Sequence, residues 1–228
     1  MGLFQKSVLK SYLSVLDGGN VDAAYQEYKN FFYNPITQQN IRNAKEEQFQ
    51  EGFLRELFVK IMGYTINPDP GYNLTTEQKN ISDSKKADGA IIINETVTGV
   101  IELKGTNTID LGKVQQQAFY YLSAHPEAVY VITSNFEKLR FYIQKSNEYE
   151  EFNLFMLSQD EFKLLYLCIS HQSISTGLPL KIKQESVVKE ENITKQLYKD
   201  YSSFKHDLFR SLCDRNPEID KLTLFKAT

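Results

Sequence analysis

The stretch "KADGAIIINETVTGVIELKG", residues 86–105, decides the fold of this chain. Two apolar runs flank a short polar turn, which is typical of a β-hairpin. A carboxylate, Asp88, opens the first run, and Glu102 and Lys104 close the second. Charged side chains at the ends of buried strands cost stability unless they have a partner or a task. The two ends of this hairpin are therefore where chemistry is expected.

A turn centred on Glu95 sets Asp88 opposite Glu102, because the two acids are equidistant from it. Directly opposed side chains have Cβ atoms about 4.5–5.5 Å apart, so two carboxylates can share a hard cation. The two-residue period of a strand puts Glu102 and Lys104 on the same face. These residues predict a metal-dependent phosphodiesterase centre, with Mg²⁺ (or Mn²⁺ as a substitute) bound by Asp88, Glu102 and the Leu103 carbonyl. Lys104 would orient the attacking water and offset developing negative charge.

A second acid–x–lysine triplet, Glu77-Gln-Lys79, competes for this role because Pro68-Asp69 precedes it. Within one extended segment, Asp69 and Glu77 would lie roughly 26 Å apart at ~3.3 Å per residue. Gln78 also supplies no apolar anchor on the opposite face. We therefore expect the centre at Glu102.

The rest of the chain predicts an α/β fold. Helical patterns come first, then strands around one crossing helix, then further helices. The predicted helices cover residues 3–17, 21–32, 37–62, 110–124, 158–169 and 194–213, and another begins after Asn216-Pro217. The predicted strands are 74–79, the hairpin, "AVYVITS", "LRFYIQ" and "NLFML".

This order predicts a three-layer α/β/α core with a mixed sheet of about four or five strands and helical N- and C-terminal additions. We expect N-terminal helices over 1–62, the core over 63–180 and a C-terminal helical extension over 181–228. The last helix reaches Thr228 without a cap, which suggests a chain that continues.

Composition excludes several classes of protein. No apolar run approaches the ~20 residues of a membrane span, and the N-terminus reads as an amphipathic helix rather than a signal peptide. Cys168 and Cys213 lie in helical patterns and are expected to be reduced thiols of a cytoplasmic protein. The net charge of −3 argues against a purely electrostatic nucleic-acid coat but allows a local basic patch.

The segment "ADGAIIINETVTGVIELKG" resembles the active-site hairpin of the PD-(D/E)xK nuclease superfamily. "QQQAFYYL" resembles the Gln-x-x-x-Tyr helix of type I restriction subunits and type IIG restriction–modification enzymes. "KEEQFQEGFLRELFVKIMGY" and "YVITSNFEKLRFYI" are similar to the N-terminal region of large type IIG enzymes, and the similarity covers nearly the whole chain. The resemblance implies a restriction-endonuclease-like core. It makes Asp88 and Glu102 metal ligands, Lys104 the catalytic lysine, and Gln117 with Tyr121 the accessory motif.

The family often places a proline before the first acid, and Ala87 stands there in this chain. Superfamily members often add a metal-side glutamate from the helix before the sheet. Glu51 and Glu47, one turn apart, are the candidates, and Glu51 is included in the predicted metal site.

Four other kinds of residue lie outside the predicted metal site. Gln117 and Tyr121 share one helix face and would contact the DNA backbone or active-site water. Lys85 and Lys86 could meet phosphates, and Asn135 is interpreted as a turn residue. The histidines are too scattered for a zinc site or a triad and are assigned no role: His125, His171 and His206.

The resemblance implies a Mg²⁺-dependent DNA endonuclease domain of a restriction–modification enzyme, acting on double-stranded DNA. Its implied partners are fused or associated adenine methyltransferase and target-recognition domains, and a homodimer would allow double-strand cutting. Two alternatives stay open. One is a free-standing repair or recombination nuclease, and the other is a non-catalytic DNA-docking module on a nuclease fold.

Overall fold

The computed structural model describes residues 2–16, 18–79 and 86–226. Its centre is a six-stranded sheet in which the strands follow chain order, β1 to β6. The strands are β1 (Leu74–Lys79), β2 (Lys86–Ile93), β3 (Thr96–Leu103), β4 (Tyr130–Ser134), β5 (Lys138–Ile143) and β6 (Tyr149–Asn153). β3 and β4 are parallel, and the other neighbours are antiparallel. The expected α/β class with a mixed sheet is confirmed, although the sheet has one or two strands more than predicted.

Helices of the described residues come before, between and after these strands in the chain. They are α1 (Lys6–Leu13), α2 (Gly18–Phe32), α3 (Pro35–Asn43), α4 (Glu46–Phe53), a π-helix (Leu54–Ile61), α5 (Leu111–Ser123), α6 (Gln159–Ile169), α7 (His171–Ser175), α8 (Leu178–Arg215) and α9 (Lys221–Lys226). Two predicted helix starts are confirmed. The Asp110 side chain caps α5 by accepting from the Gly112 N–H at 2.8 Å, and Ser158 with Glu161 forms the capping box of α6.

Apolar side chains cover both faces of the sheet. Ile101 of β3 packs in the larger core cluster with Phe53 and Leu57 from the helices before the sheet. Its neighbour Val100 points the other way and packs in a smaller cluster with Ala118 of α5. Successive residues of a strand face opposite sides, so helices lie on both faces and the arrangement has three layers.

The single helix predicted over 37–62 is wrong, because the structure divides this segment into three helices. Ala44 and Lys45 are extended, with ψ of 144° and 154°. A new helix, α4, begins after them, and the Lys45 N–H donates to the Gln48 side chain at 2.9 Å. The π-helix then follows α4 directly. Because α4 begins anew after these two extended residues, its side chains do not continue the faces of α3.

Two further predictions near the end of the chain need correction. The sequence predicts a strand at "NLFML", residues 153–157, but the strand in this region is β6, which ends at Asn153. The Asn153 side chain accepts from the Phe155 N–H at 3.0 Å and turns the chain there, so Leu154 and Leu157 are buried from a turn. The helix predicted from residue 194 belongs to α8, which already begins at Leu178.

By backbone contacts the chain forms two compact units, residues 1–183 and 184–228, with the boundary inside α8. The first contains the whole sheet. In the second, Phe209 of α8 packs edge-on against Phe225 of α9, with ring centroids 5.6 Å apart. Within the described residues, no helix combines the length and apolar character that a membrane crossing requires.

Candidate functional site

The β2–β3 hairpin brings the two predicted acids to neighbouring strand ends. Asn94 and Glu95 form its turn, both with positive φ (49° and 64°), and Ile93 pairs with Thr96. A two-residue turn alone would set Asp88 opposite Ile101. Thr98 is an extra residue, however, because Ile92 pairs with Val97 while Ile91 pairs with Gly99.

This β-bulge shifts the register by one residue. Gly89 therefore pairs with Ile101, and Asp88 and Glu102 follow one position further on. The predicted juxtaposition of the two acids is confirmed, although it depends on a bulge that the symmetric turn of the prediction did not contain.

Asp88 is held by groups from two other elements. Its Oδ2 accepts from the Leu103 N–H at 2.7 Å, and its Oδ1 accepts from Gln50 Nε2 of α4 at 3.3 Å. Burial raises the pKa of the Asp88 carboxyl, while the Leu103 N–H and the nearby Lys104 lower it. The carboxyl thus has a fixed orientation at the end of β2.

Glu102 is buried, with only 1 % of its surface exposed. Its Oε1 accepts from Lys104 Nζ at 2.8 Å, while its Oε2 makes no hydrogen bond with any residue that the structure describes. Burial, and then the charge of Asp88, raise the pKa of the Glu102 carboxyl to about 7, against the lowering effect of Lys104. A buried carboxylate oxygen without a donor calls for a cation or another polar group.

Lys104 Nζ lies among four oxygen atoms. It is 2.8 Å from the Leu103 carbonyl oxygen and 2.8 Å from Glu102 Oε1. Glu46 Oε1 lies at 3.4 Å and Asp88 Oδ2 at 3.9 Å. Burial alone would lower the pKa of Lys104, but the three carboxylates hold it above its ordinary value. The ammonium is therefore the local counter-charge of this acidic cluster.

The glutamate contributed by the helix before the sheet is Glu46, and the expectation of Glu51 or Glu47 needs correction. Glu51 is exposed and bonds to Arg55 Nε at 2.9 Å, and Glu47 is exposed as well. Glu46 instead accepts from the Gly105 N–H at 3.1 Å, besides its contact with Lys104. Gln50 also bonds to it, at 3.3 Å. Glu47 and Glu51 have the same four-residue spacing as Glu46 and Gln50, so only the contacts of Glu46 with Gly105 and Lys104 single it out.

Gln117 and Tyr121 do meet on α5. Gln117 Nε2 donates to the Tyr121 phenol oxygen at 3.2 Å. Tyr121 is buried in the smaller core cluster, beside Ala87 and Val100. Among the described residues, neither side chain forms a hydrogen bond with Asp88, Glu102 or Lys104. Tyr121 therefore packs on β2 and β3, and Gln117 is exposed on α5.

The other predicted basic and acidic groups lie outside the cluster. Lys86 forms an exposed ion pair with Glu77 at 2.7 Å, which uses the acid of the competing triplet. Lys86 lowers the pKa of the Glu77 carboxyl. Lys85 lies outside the described residues.

Asn135 is a turn residue, as expected, and it is also buried. Its Oδ1 accepts from the Lys138 N–H at 2.7 Å, and its Nδ2 donates to the Thr108 carbonyl at 2.9 Å. Asn135 thereby fastens the loop that follows Lys104 to the β4–β5 turn.

Thr133 was not found from the sequence. In the parallel β3–β4 ladder it is the register partner of Glu102. It is fully buried, and its hydroxyl makes no hydrogen bond of normal geometry within residues 2–16, 18–79 and 86–226. The alternation inside "YVITS", combined with parallel pairing to β3, is the signal that points to it.

The cluster fits a divalent cation by its donor set. Asp88, Glu102 and the Leu103 carbonyl offer hard oxygen ligands of the kind that Mg²⁺ and Mn²⁺ prefer, and Glu102 Oε2 has no other partner. No group of three or more acidic, histidine or cysteine side chains within the described ranges has the spacing of a complete metal cage. Mg²⁺ commonly uses one or two carboxylates together with water and substrate phosphates, so two carboxylates and a carbonyl suit it.

No protein-family model, curated protein or solved structure matches this chain. The fold and the cluster together describe an α/β protein with a carboxylate–lysine centre at one end of its sheet.

Proposed function

We propose that the chain is a Mg²⁺-dependent DNA endonuclease domain built on a restriction-endonuclease-like core. The observation that carries this proposal is Glu102, which is buried and has one oxygen without a hydrogen bond to the described part of the chain. It lies beside Asp88 and is bonded to Lys104 at the ends of two neighbouring strands. A purely structural ion pair would place no second carboxylate and no unpartnered oxygen in the same position.

The chemistry would be hydrolysis of a phosphodiester by an activated water. A bound divalent cation supplies electrostatic stabilisation of the charged phosphate and a more acidic water. Asp88, Glu102 and the Leu103 carbonyl would bind the cation, and Glu46 would reinforce the negative field from α4. The Lys104 ammonium, within reach of the same oxygens, would orient the water and offset the charge that develops on the phosphate.

Within this proposal the domain belongs to a cytoplasmic restriction–modification enzyme of the type IIG kind. Double-stranded DNA is the substrate, and a methyltransferase domain with a target-recognition domain supplies the site specificity. Gln117 and Tyr121 would serve the DNA side of the cluster from α5, where Tyr121 packs in one cluster with Ala87, the residue before Asp88. A homodimer would cut both strands.

Plasmid cleavage and Mn²⁺ binding test the proposal together. Asp88→Asn and Glu102→Gln should abolish Mg²⁺-dependent nicking and weaken Mn²⁺ binding, measured by calorimetry, at least tenfold. Glu77→Gln is the matched control, because it alters the exposed acid of the other triplet and should leave both unchanged. Undiminished Mn²⁺ affinity in Glu102→Gln, with the variant folded, would rule out this metal centre. Mn²⁺ binding without any cleavage by the chain supplied with its partner domains would favour the docking module.

A further inference from the structure

A row of polar side chains crosses the sheet on the face that α5 covers. Glu102 of β3 is in register with Thr133 of β4. Two residues earlier on each strand, Val100 and Val131 are also in register, and both pack in the cluster under α5. Because strand side chains alternate with a period of two, Glu102 and Thr133 project from this same face.

Both side chains are buried, and both leave an oxygen without a hydrogen bond. Glu102 is 1 % exposed and Thr133 is 0 % exposed. Glu102 Oε2 and Thr133 Oγ1 are two of the few buried side-chain atoms in the described residues with no partner. The Tyr142 phenol approaches Thr133 from β5, yet no hydrogen bond of normal geometry joins them. Leaving such groups unpaired is costly, and a valine would fill the same space without that cost.

The two unpaired oxygens belong to neighbouring strands, whose backbones lie about 4.8 Å apart. Side chains of directly paired residues lie side by side on one face, and a water with two or more polar partners can join two such groups. Lys104 already occupies Oε1 of Glu102. Glu102 Oε2 is therefore the carboxylate oxygen that remains without a partner in the described residues.

We propose that Thr133 is a positioning residue for the metal centre. Its hydroxyl holds one lone pair of Glu102 Oε2 through one water, which leaves the other lone pair for the cation and fixes the plane of the carboxylate. This inference rests on the proposed function. It extends the centre onto β4, a strand that contributes no acidic or basic group to it.

Two substitutions at one position separate this role from a structural one. Thr133→Val keeps the shape and removes the hydroxyl, and Thr133→Ser keeps the hydroxyl. We expect Thr133→Val to weaken Mn²⁺ binding about tenfold, the size typical of groups that orient a metal ligand. Its thermal midpoint in EDTA should be unchanged or higher, because no hydrogen bond within the protein is lost. Thr133→Ser should bind Mn²⁺ within about threefold of the unaltered protein.

Controls distinguish the ways in which this inference could fail. Tyr142→Phe removes the phenol near Thr133 and should leave Mn²⁺ affinity unchanged. If Thr133→Val binds Mn²⁺ as the unaltered protein does while Glu102→Gln does not, the metal centre stands and the role of Thr133 is overturned. A lower midpoint for Thr133→Val with unchanged Mn²⁺ affinity would show a structural bond to Tyr142 and would also overturn it. Equal Mn²⁺ affinity in the unaltered protein and Glu102→Gln would overturn the metal centre itself.

Discussion

A carboxyl group that is 1 % exposed, with one oxygen free of hydrogen bonds, is expensive to maintain. At the scale of single residues, Glu102 therefore carries the strongest argument for chemistry. The neighbouring charged side chains do not offset this free-energy cost. Asp88 adds a second negative charge, and Lys104 offsets only part of the resulting field. A buried group perturbed in this way by named neighbours is typical of functional sites.

The pH dependence of stability should report this perturbation. The pKa of the Glu102 carboxyl is raised from 4.5 to about 7, so the folded state holds this proton more tightly than the unfolded state. The contribution to stability is complete below the unfolded pKa and is lost as pH rises towards 7. In EDTA we expect the unfolding free energy to fall over this range by at most roughly 3 kcal/mol.

Glu102→Gln should remove most of this slope, which denaturant titrations at several pH values would measure. Mg²⁺ should reduce the slope as well, because it favours the ionised carboxylate. Glu77→Gln is the control, since the pKa of Glu77 is lowered and not raised. An unchanged slope in Glu102→Gln would show that another group titrates there.

A second prediction at this scale concerns the acid from α4. Glu46→Gln should weaken Mn²⁺ binding roughly tenfold, because Glu46 faces Lys104 and the strand ends. Glu51→Gln should have no measurable effect, because Glu51 is exposed and paired with Arg55. Calorimetry on the two variants compares acids of one helix that differ only in the face they occupy. Equal effects on Mn²⁺ binding would mean that the overall negative charge of the helix determines the affinity, rather than the contact of Glu46 with the metal centre.

At the scale of secondary-structure elements, the sequence predicted those that depend on local patterns. The hairpin, β1, the capped start of α5 and the capping box of α6 are all set by residues near each other in the chain. The prediction of one continuous helix over 37–62 is wrong because nothing in its apolar stripe marks Ala44 and Lys45 as extended. Glu51 was expected from the resemblance, whereas Glu46 is identified by its contacts with Gly105 and Lys104, which no local pattern encodes. Thr133 was missed because its place beside Glu102 depends on the parallel β3–β4 pairing, which no local pattern encodes.

The bulge at Thr98 allows a test of register. Deleting Thr98 should leave Asp88 beside Glu102, because Val97 and Gly99 would then pair with consecutive residues of β2. The deletion removes the Val129 N–H bond to the Thr98 carbonyl and should cost about 1 kcal/mol, with Mn²⁺ binding retained.

The matched control inserts one glycine between Ile101 and Glu102. A shift of one residue turns the rest of the strand to the opposite face, so this insertion should abolish Mn²⁺ binding. If both length variants bound Mn²⁺ equally, the alignment of the acids would not depend on the hairpin register.

At the scale of the whole molecule, charge limits how the chain can hold DNA. With 26 basic and 29 acidic residues it has net charge −3, and Lys86 and Lys104 are already paired with acids. We expect weak DNA binding without sequence preference, falling about tenfold to a hundredfold between 50 and 200 mM salt. Fluorescence anisotropy with a specific and a scrambled duplex, in Ca²⁺ to suppress cleavage, would measure it. Tight, salt-tolerant discrimination between the duplexes would show that this chain reads bases itself.

Lys104 also bears on the order of two events, the folding of the chain and the binding of the metal ion. Small domains stapled together by a metal stay unfolded until the ion arrives. Here an ammonium group already lies among the oxygens at the strand ends, and the large apolar core is built without them. Folding can therefore finish first, and loading with the proposed ion would be a separate, later event. A chelator should stop the chemistry while the fold remains intact, and the same molecules should recover their activity when the ion is returned.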